Sequence, residues 1–141
     1  ATIYFYSSRI KDTIENEDLQ IKALQITDVI LKSEGKPYNW ESDPDDVNIT
    51  GLASSDRKIS TNKLREFVKL DYDIIKERLN IENYNFSFSL KDTNGALYDV
   101  GDGGFSEAGI KPSLNAKNVI TIKRSGLYGG QEAFIEFTLW E

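Results

Sequence analysis

The segment Val29–Ala53, VILKSEGKPYNWESDPDDVNITGLA, carries the decisive punctuation of this 141-residue chain. It closes an apolar helical stripe at Gly35 and leaves through Pro37, Tyr38 and Trp40. Glycine tolerates the left-handed conformation of a helix C-terminal cap, and Pro37 drives Lys36 toward extended geometry. Trp40 then sets a large apolar body beside the helix end, where its indole N–H needs an acceptor. Asp43, Pro44, Asp45 and Asp46 follow as an acidic run. Carboxylates this close are hard oxygen ligands of the kind calcium takes, but the spacing fits no ordered calcium loop and Pro44 interrupts it, which favours a solvated turn. Val47–Ala53 reads as a short strand or extended segment, with Lys58–Ile59 as a small return strand.

Upstream, Leu19, Ala23, Ile26 and Ile30 step along one face of an α-helix, and Leu24 and Leu31 widen the stripe. Glu17, Gln20, Lys22, Gln25 and Lys32 take the opposite side. The expectation is one amphipathic helix of about five turns packed on a sheet. Asp12 with Glu15 is a plausible start pair and Asn16 a second candidate cap. Before it, Thr2–Ser8 is aromatic and β-branched, which suits an edge strand or the cut end of something longer.

Downstream, Ser60 or Thr61 caps a helix that turns Leu64, Phe67, Val68 and Leu70 inward, and Asp71 caps a second with Ile74, Ile75 and Leu79 inward. From Tyr84 the period changes to two: Tyr84, Phe86, Phe88 and Leu90 alternate with polar neighbours. Asn94-Gly95 predicts a tight hairpin turn into Ala96–Val100. Gly101–Gly104 reads as a flexible loop, having neither the Lys nor the spacing of a phosphate cradle. Asn118–Arg124 and Ala133–Trp140 form a hairpin candidate, its second strand central or buried on both faces. The whole points to a single α+β domain over residues 1–141: a long N-terminal amphipathic helix packed on a C-terminal antiparallel sheet of about four strands, with two short helices between.

Composition narrows the chemistry. The chain has no Cys and no His, so thiolate nucleophiles, disulfides, thiolate zinc sites and the commonest general base are all absent. Any catalysis would run on Asp, Glu, Lys or Tyr. A net charge of -6 without a basic cluster disfavours a nucleic-acid partner. No segment has the roughly 20 apolar residues of a membrane helix, and no basic region with a cleavage site marks a signal peptide.

Taken in order, Ser33, Gly35, Pro37 and Trp40, then Gly51-Leu52-Ala53, Lys63-Leu64, Tyr72 and the Tyr84-x-Phe86-x-Phe88 run resemble the extracellular domain of archaeal type IV pilin-like proteins with class III signal peptides. Arg124 and Trp140 agree with the closing strands of that family. The similarity spans about nine-tenths of the chain, through motifs that are specific only in their succession. The processing site and apolar helix are not in the sequence, and Gly101–Gly109 has no counterpart. The resemblance implies an N-terminal membrane anchor on a segment missing here, display outside the cell, and contact with other pilin-like subunits through the N-terminal helix. It implies a role in an archaeal cell-surface filament or adhesion assembly, with no active site, cofactor or metal.

Three functional classes follow. The first is that non-catalytic surface subunit. The second is a soluble extracellular binding module for a peptide or glycan, using the loop aromatics Tyr98, Phe105 and Tyr128. The third is an enzyme built on paired carboxylates such as Asp99 and Asp102. Asp92, Asn94, Asp99 and Asp102 also form a weak oxygen-donor set for calcium. Asn48 and Asn85 head glycosylation acceptor triplets, which permit export without demanding it.

Overall fold

A computed structural model describes the backbone of residues 3–9 and 13–141 and the side chains from residue 17 onward. The elements run β1 (Ile3–Arg9), α1 (Thr13–Lys32), β2 (Ala53–Ser55), β3 (Lys58–Ile59), α2 (Thr61–Lys69), α3 (Tyr72–Arg78), β4 (Asn85–Lys91), β5 (Asp99–Gly101), β6 (Gly104–Phe105), β7 (Glu107–Gly109), β8 (Val119–Tyr128) and β9 (Gln131–Trp140). Two short 3-10 turns, Trp40–Ser42 and Pro44–Asp46, lie between α1 and β2.

The expected architecture of a long helix on about four antiparallel strands is overturned. Six strands follow the path β2-β3-β8-β9-β4-β7 in a curled half-barrel, and β1 pairs with β8 as a seventh. The sheet is mixed, because β3 meets β8 in parallel, Lys58 opposite Leu127. The short strands β2, β3 and β7 join the sheet, and two further segments add to the difference. Residues 3–9 add a full strand antiparallel to β8, with Ile3 opposite Arg124 and Arg9 opposite Val119. The chain after β4 does not return along it as Ala96–Val100. Asp92 closes the turn with its own backbone and side chain, only Leu97 bridges to Lys91, and β5 instead pairs with β6. The glycine-dense segment is therefore the turn of a second small hairpin, with Asp102 and Gly103 at φ 55 and 77. β4 takes β7 and β9 as partners.

One face of the sheet holds the core. Phe86, Phe88 and Leu90 on β4, Ile135, Phe137 and Leu139 on β9, and Ile120 and Ile122 on β8 are buried and share rows: Phe88 lies opposite Phe137, which lies opposite Ile122. α1 crosses β8 and β9 on this face and buries Leu19, Ala23, Ile26 and Ile30, so the period-3.6 stripe meets the period-2 face. Phe67 of α2 meets Phe88 edge-on at 5.2 Å. Ser60 caps α2 by accepting from the Lys63 amide. Asp71 sits at the start of α3 but makes no side-chain cap bond. The proposed start pair of α1 lies outside the described residues.

Among the described residues a single charged contact ties α1 to the middle of the sheet. Arg124, 4% exposed, donates from Nη1 to the Asp28 carboxylate, which also lies 3.6 Å from Lys32. Arg124 is the one charged residue on the core side of β8, so its pairing decides how α1 sits.

Candidate functional site

Residues from three separate places in the sequence meet at the end of α1. Gly35 adopts φ 89, and its amide donates to the Ser33 hydroxyl at 3.0 Å. The chain then reverses, and Gly51-Leu52-Ala53 runs back beside it. The Leu52 amide donates to the Ile30 carbonyl at 3.1 Å and the Ala53 amide to the Ser33 carbonyl at 3.0 Å, satisfying two of the acceptors that a helix end leaves open. Trp40 is fully buried and donates from its indole nitrogen to the Gly51 carbonyl at 2.8 Å. A Cβ on Gly51 would stand 2.1 Å from the Ser33 carbonyl oxygen, so the two strands approach closer than any side chain allows.

Lys63, on the first turn of α2, completes this knot. Its ammonium donates to the Glu34 carbonyl at 2.9 Å, to the Tyr38 carbonyl, and to the Glu41 carboxylate at 2.9 Å. Three acceptors match the three protons of an ammonium, which is what lets this lysine remain 4% exposed. The knot is structural: the Ser33 hydroxyl, the Trp40 indole and the Lys63 ammonium are each spent on another group within it.

The opposite face of the sheet is uncovered by helices. Its rows read Gly109, Ser87, Thr138, Thr121 in one line and Glu107, Ser89, Glu136, Lys123 in the next. With the chain at 107–112, the Gly95–Leu97 turn and Val119 as walls, all of these but Lys123 bound an open groove of about 940 Å³. Thr121 and Thr138 share a hydroxyl hydrogen bond of 2.8 Å. Lys91 stands 3.6 Å from Glu136 across the floor. Ser87 and Ser89 are half-buried, and their hydroxyls have no protein partner among the described residues. Trp140 borders the far end and donates from its indole nitrogen to the Ile110 carbonyl at 2.9 Å, tying the 110–118 loop to the sheet.

The loop aromatics do not assemble into one site. Tyr98 and Tyr128 meet edge-on at 4.7 Å and pack against the core, while Phe105, 55% exposed, borders a separate cleft of about 260 Å³ with Arg65, Val68 and Lys69. Burial, helped by Asp92 and Tyr128, pushes the Tyr98 phenol up, and its buried hydroxyl has no partner among the described residues.

The carboxylates are likewise committed. Asp99 accepts from the Gly101 amide at 2.8 Å, holding the β5–β6 turn. Asp102 pairs with Lys69 at 2.6 Å, and that hydrogen bond and charge hold its carboxyl below the usual range. In the acidic run, a hydrogen bond between Asp43 and Asp46, with their mutual repulsion, holds the Asp43 carboxyl above it. Among the described residues no three acidic groups converge at a metal-sized centre.

Of the two acceptor triplets, Asn48 is exposed, whereas Asn85 lies half-buried in β4 and accepts from the Tyr72 hydroxyl at 3.0 Å. Among the described residues no helix is long and apolar enough to cross a membrane. No protein-family model, curated protein or solved structure matches this chain.

Proposed function

We propose that this domain is a non-catalytic, pilin-like surface protein, a subunit of or accessory to an archaeal cell-surface filament or adhesion assembly. The observation that carries the reading is the knot at the end of α1. Ser33, Gly35, Trp40, Gly51, Leu52, Ala53 and Lys63, on which the resemblance rests, are joined there by hydrogen bonds and close packing. Short motifs that match by chance have no reason to meet in space; motifs that encode one structural device do. The knot also gives such a protein something it needs, a rigid joint between the helix and the sheet that carries the displayed surface.

The path of the tether differs from a straight rod. Residues 3–9 run as a strand beside β8, so an anchoring segment would reach α1 by way of the sheet. Contacts with other subunits would use the outward side of α1, where Ile21 is 55% exposed. Asn48 is the accessible position for a surface glycan.

The test is the coding frame ahead of Ala1 together with protease treatment of intact native cells. A basic stretch, a peptidase-type cleavage site and about 20 apolar residues, with the domain cleaved from whole cells, is the expected result. A start codon directly ahead of Ala1 with the protein protected inside intact cells would overturn the reading.

A further inference from the structure

We infer that the uncovered face of the sheet is a binding groove for an unbranched, uncharged polysaccharide lying across the strands. The inference goes beyond a filament role and stands whether or not the domain belongs to one.

The floor is a lattice of hydroxyls. Ser87, Thr138 and Thr121 stand side by side on β4, β9 and β8. Neighbouring strands are about 4.8 Å apart, close to the length of one pyranose ring, so a chain crossing the strands meets a hydroxyl at each step. Hydroxyls both donate and accept, as a sugar's own hydroxyls do. In the Thr121–Thr138 pair one hydroxyl gives its proton to the other, and the accepting hydroxyl keeps a proton for a ligand. Ser87 and Ser89 make no side-chain hydrogen bond among the described residues, which leaves their hydroxyls for a ligand.

Charge and topology select against the other polymers. Lys91 and Lys111 are balanced by Glu107 and Glu136 among the groove residues, and Lys91 and Glu136 lie 3.6 Å apart, which removes the field a charged polymer would require. A peptide entering as an added strand needs a free edge. Across the floor the backbone is already paired, β4 being flanked by β7 and β9 and β9 by β8, which leaves as an edge beside the groove only the three residues of β7. A peptide laid flat would bury backbone groups that this floor could only partly satisfy. The walls supply the apolar share of the site: Leu97 and Pro112 offer aliphatic surface to the C–H faces of sugar rings.

The experiment is an NMR titration of the intact isotope-labelled domain with cellohexaose, maltohexaose and a 1,4-linked mannohexaose, with oligogalacturonate as the charged comparison. Saturable amide shifts on β4, β8 and β9 with at least one neutral sugar are expected, and weaker or no shifts with oligogalacturonate. A Ser87→Ala/Thr138→Val variant should bind about tenfold or more weakly, for two lost hydrogen bonds. Its unfolding midpoint is measured alongside, and Phe105→Ala, in the other cleft, should bind as the native chain does. No saturable shift with any neutral sugar, shifts that map to Tyr98, Phe105 or Tyr128, a preference for oligogalacturonate, or native affinity in the double variant would each overturn the inference.

Discussion

The indole nitrogen of Trp40 donates to the carbonyl of Gly51, eleven positions further along the chain, at 2.8 Å across the acidic loop. This bond fixes the polar atom of the indole to a position that cannot accept a side chain. The indole also covers the end of α1, with Gly35 beneath it so closely that a Cβ there would lie 2.6 Å from the ring. Tryptophan, two glycines and the helix end thus specify one another.

Replacing Trp40 by Phe keeps most of the apolar body and removes the donor. The Gly51 carbonyl is then left buried without that partner, so the variant is expected to lose about 1–3 kcal/mol. Trp40→Ala adds a cavity and should lose about 3–5 kcal/mol. Urea unfolding separates the two; equal stability of Trp40→Phe and the native chain would show that the bond contributes nothing.

Gly51→Ala and Gly95→Ala make the same chemical change in two unlike places. At Gly51 the new methyl meets the Ser33 carbonyl at 2.1 Å and the Gly35 nitrogen at 2.4 Å, so α1 and the Gly-Leu-Ala segment must separate. At Gly95, φ is 83 and nothing lies within 4 Å, leaving only the backbone cost of about 1–2 kcal/mol. The Gly51 variant should lose more than about 3 kcal/mol or fail to fold. Thermal melts in which the Gly95 variant is the weaker of the two would contradict the packing described for the knot.

Lys63→Met removes the ammonium shared by the Glu34 and Tyr38 carbonyls and the Glu41 carboxylate. The lysine side chain is 6% exposed and that of Glu41 22%, so the carboxylate can recover some hydration but the arrangement loses its centre. A loss of about 3 kcal/mol is expected, near the lower end for breaking a buried pair. Adding Glu41→Gln should restore part of it, because the orphaned charge is gone. Additive losses in the double-mutant cycle would show that the two side chains act independently.

What could be read beforehand tracks the distance over which each feature is encoded. The α1 stripe, the cap at Gly35, the cap at Ser60 and the β8–β9 hairpin are local patterns of three to ten residues, and each stands in the structure where its pattern lies. The sheet was underestimated because its extra members are not periodic enough to announce themselves. β2, β3 and β7 have two or three residues each, too short for alternation to register, and they join the sheet through pairing, β7 on β4, β3 on β8 and β2 on β3. Asn94-Gly95 does mark a turn, but its exit strand yields after Leu97 to the Tyr98 amide's bond with the Ser106 hydroxyl, a tertiary choice. The groove escaped for a related reason. Ser87, Ser89, Thr121 and Thr138 read as the wet half of ordinary alternation, and only the cross-strand register puts them side by side. Exposed aromatics drew attention to Tyr98, Phe105 and Tyr128, which the fold keeps apart or spends on the core.

Acid should weaken the attachment of α1 to the sheet. Partial burial alone would raise Asp28, but the hydrogen bond and charge of Arg124, with Lys32 assisting, outweigh it and hold the carboxyl below its usual range. Unfolding returns Asp28 to an ordinary value near 4. The unfolded chain therefore takes up the proton first as pH falls, and the stability this pair supplies is complete above that value and disappears as pH drops through the folded one. Asp43 works in the opposite sense: its hydrogen bond with Asp46 lets the folded chain hold the proton more tightly, so mild acid relieves repulsion there. The two contributions separate by substitution. Asp28→Asn leaves the Arg124 guanidinium, 4% exposed, without its carboxylate, so the variant should be less stable than the native chain at neutral pH. That difference should shrink as pH is lowered from about 7 to about 3, because the native pair is being protonated while the amide is not. In Asp43→Asn the native chain should gain on the variant, or lose less to it, over the same interval. Denaturant unfolding across the pH series measures both; a difference for Asp28→Asn that does not change with pH would mean that the carboxylate's charge plays no part in holding the helix to the sheet.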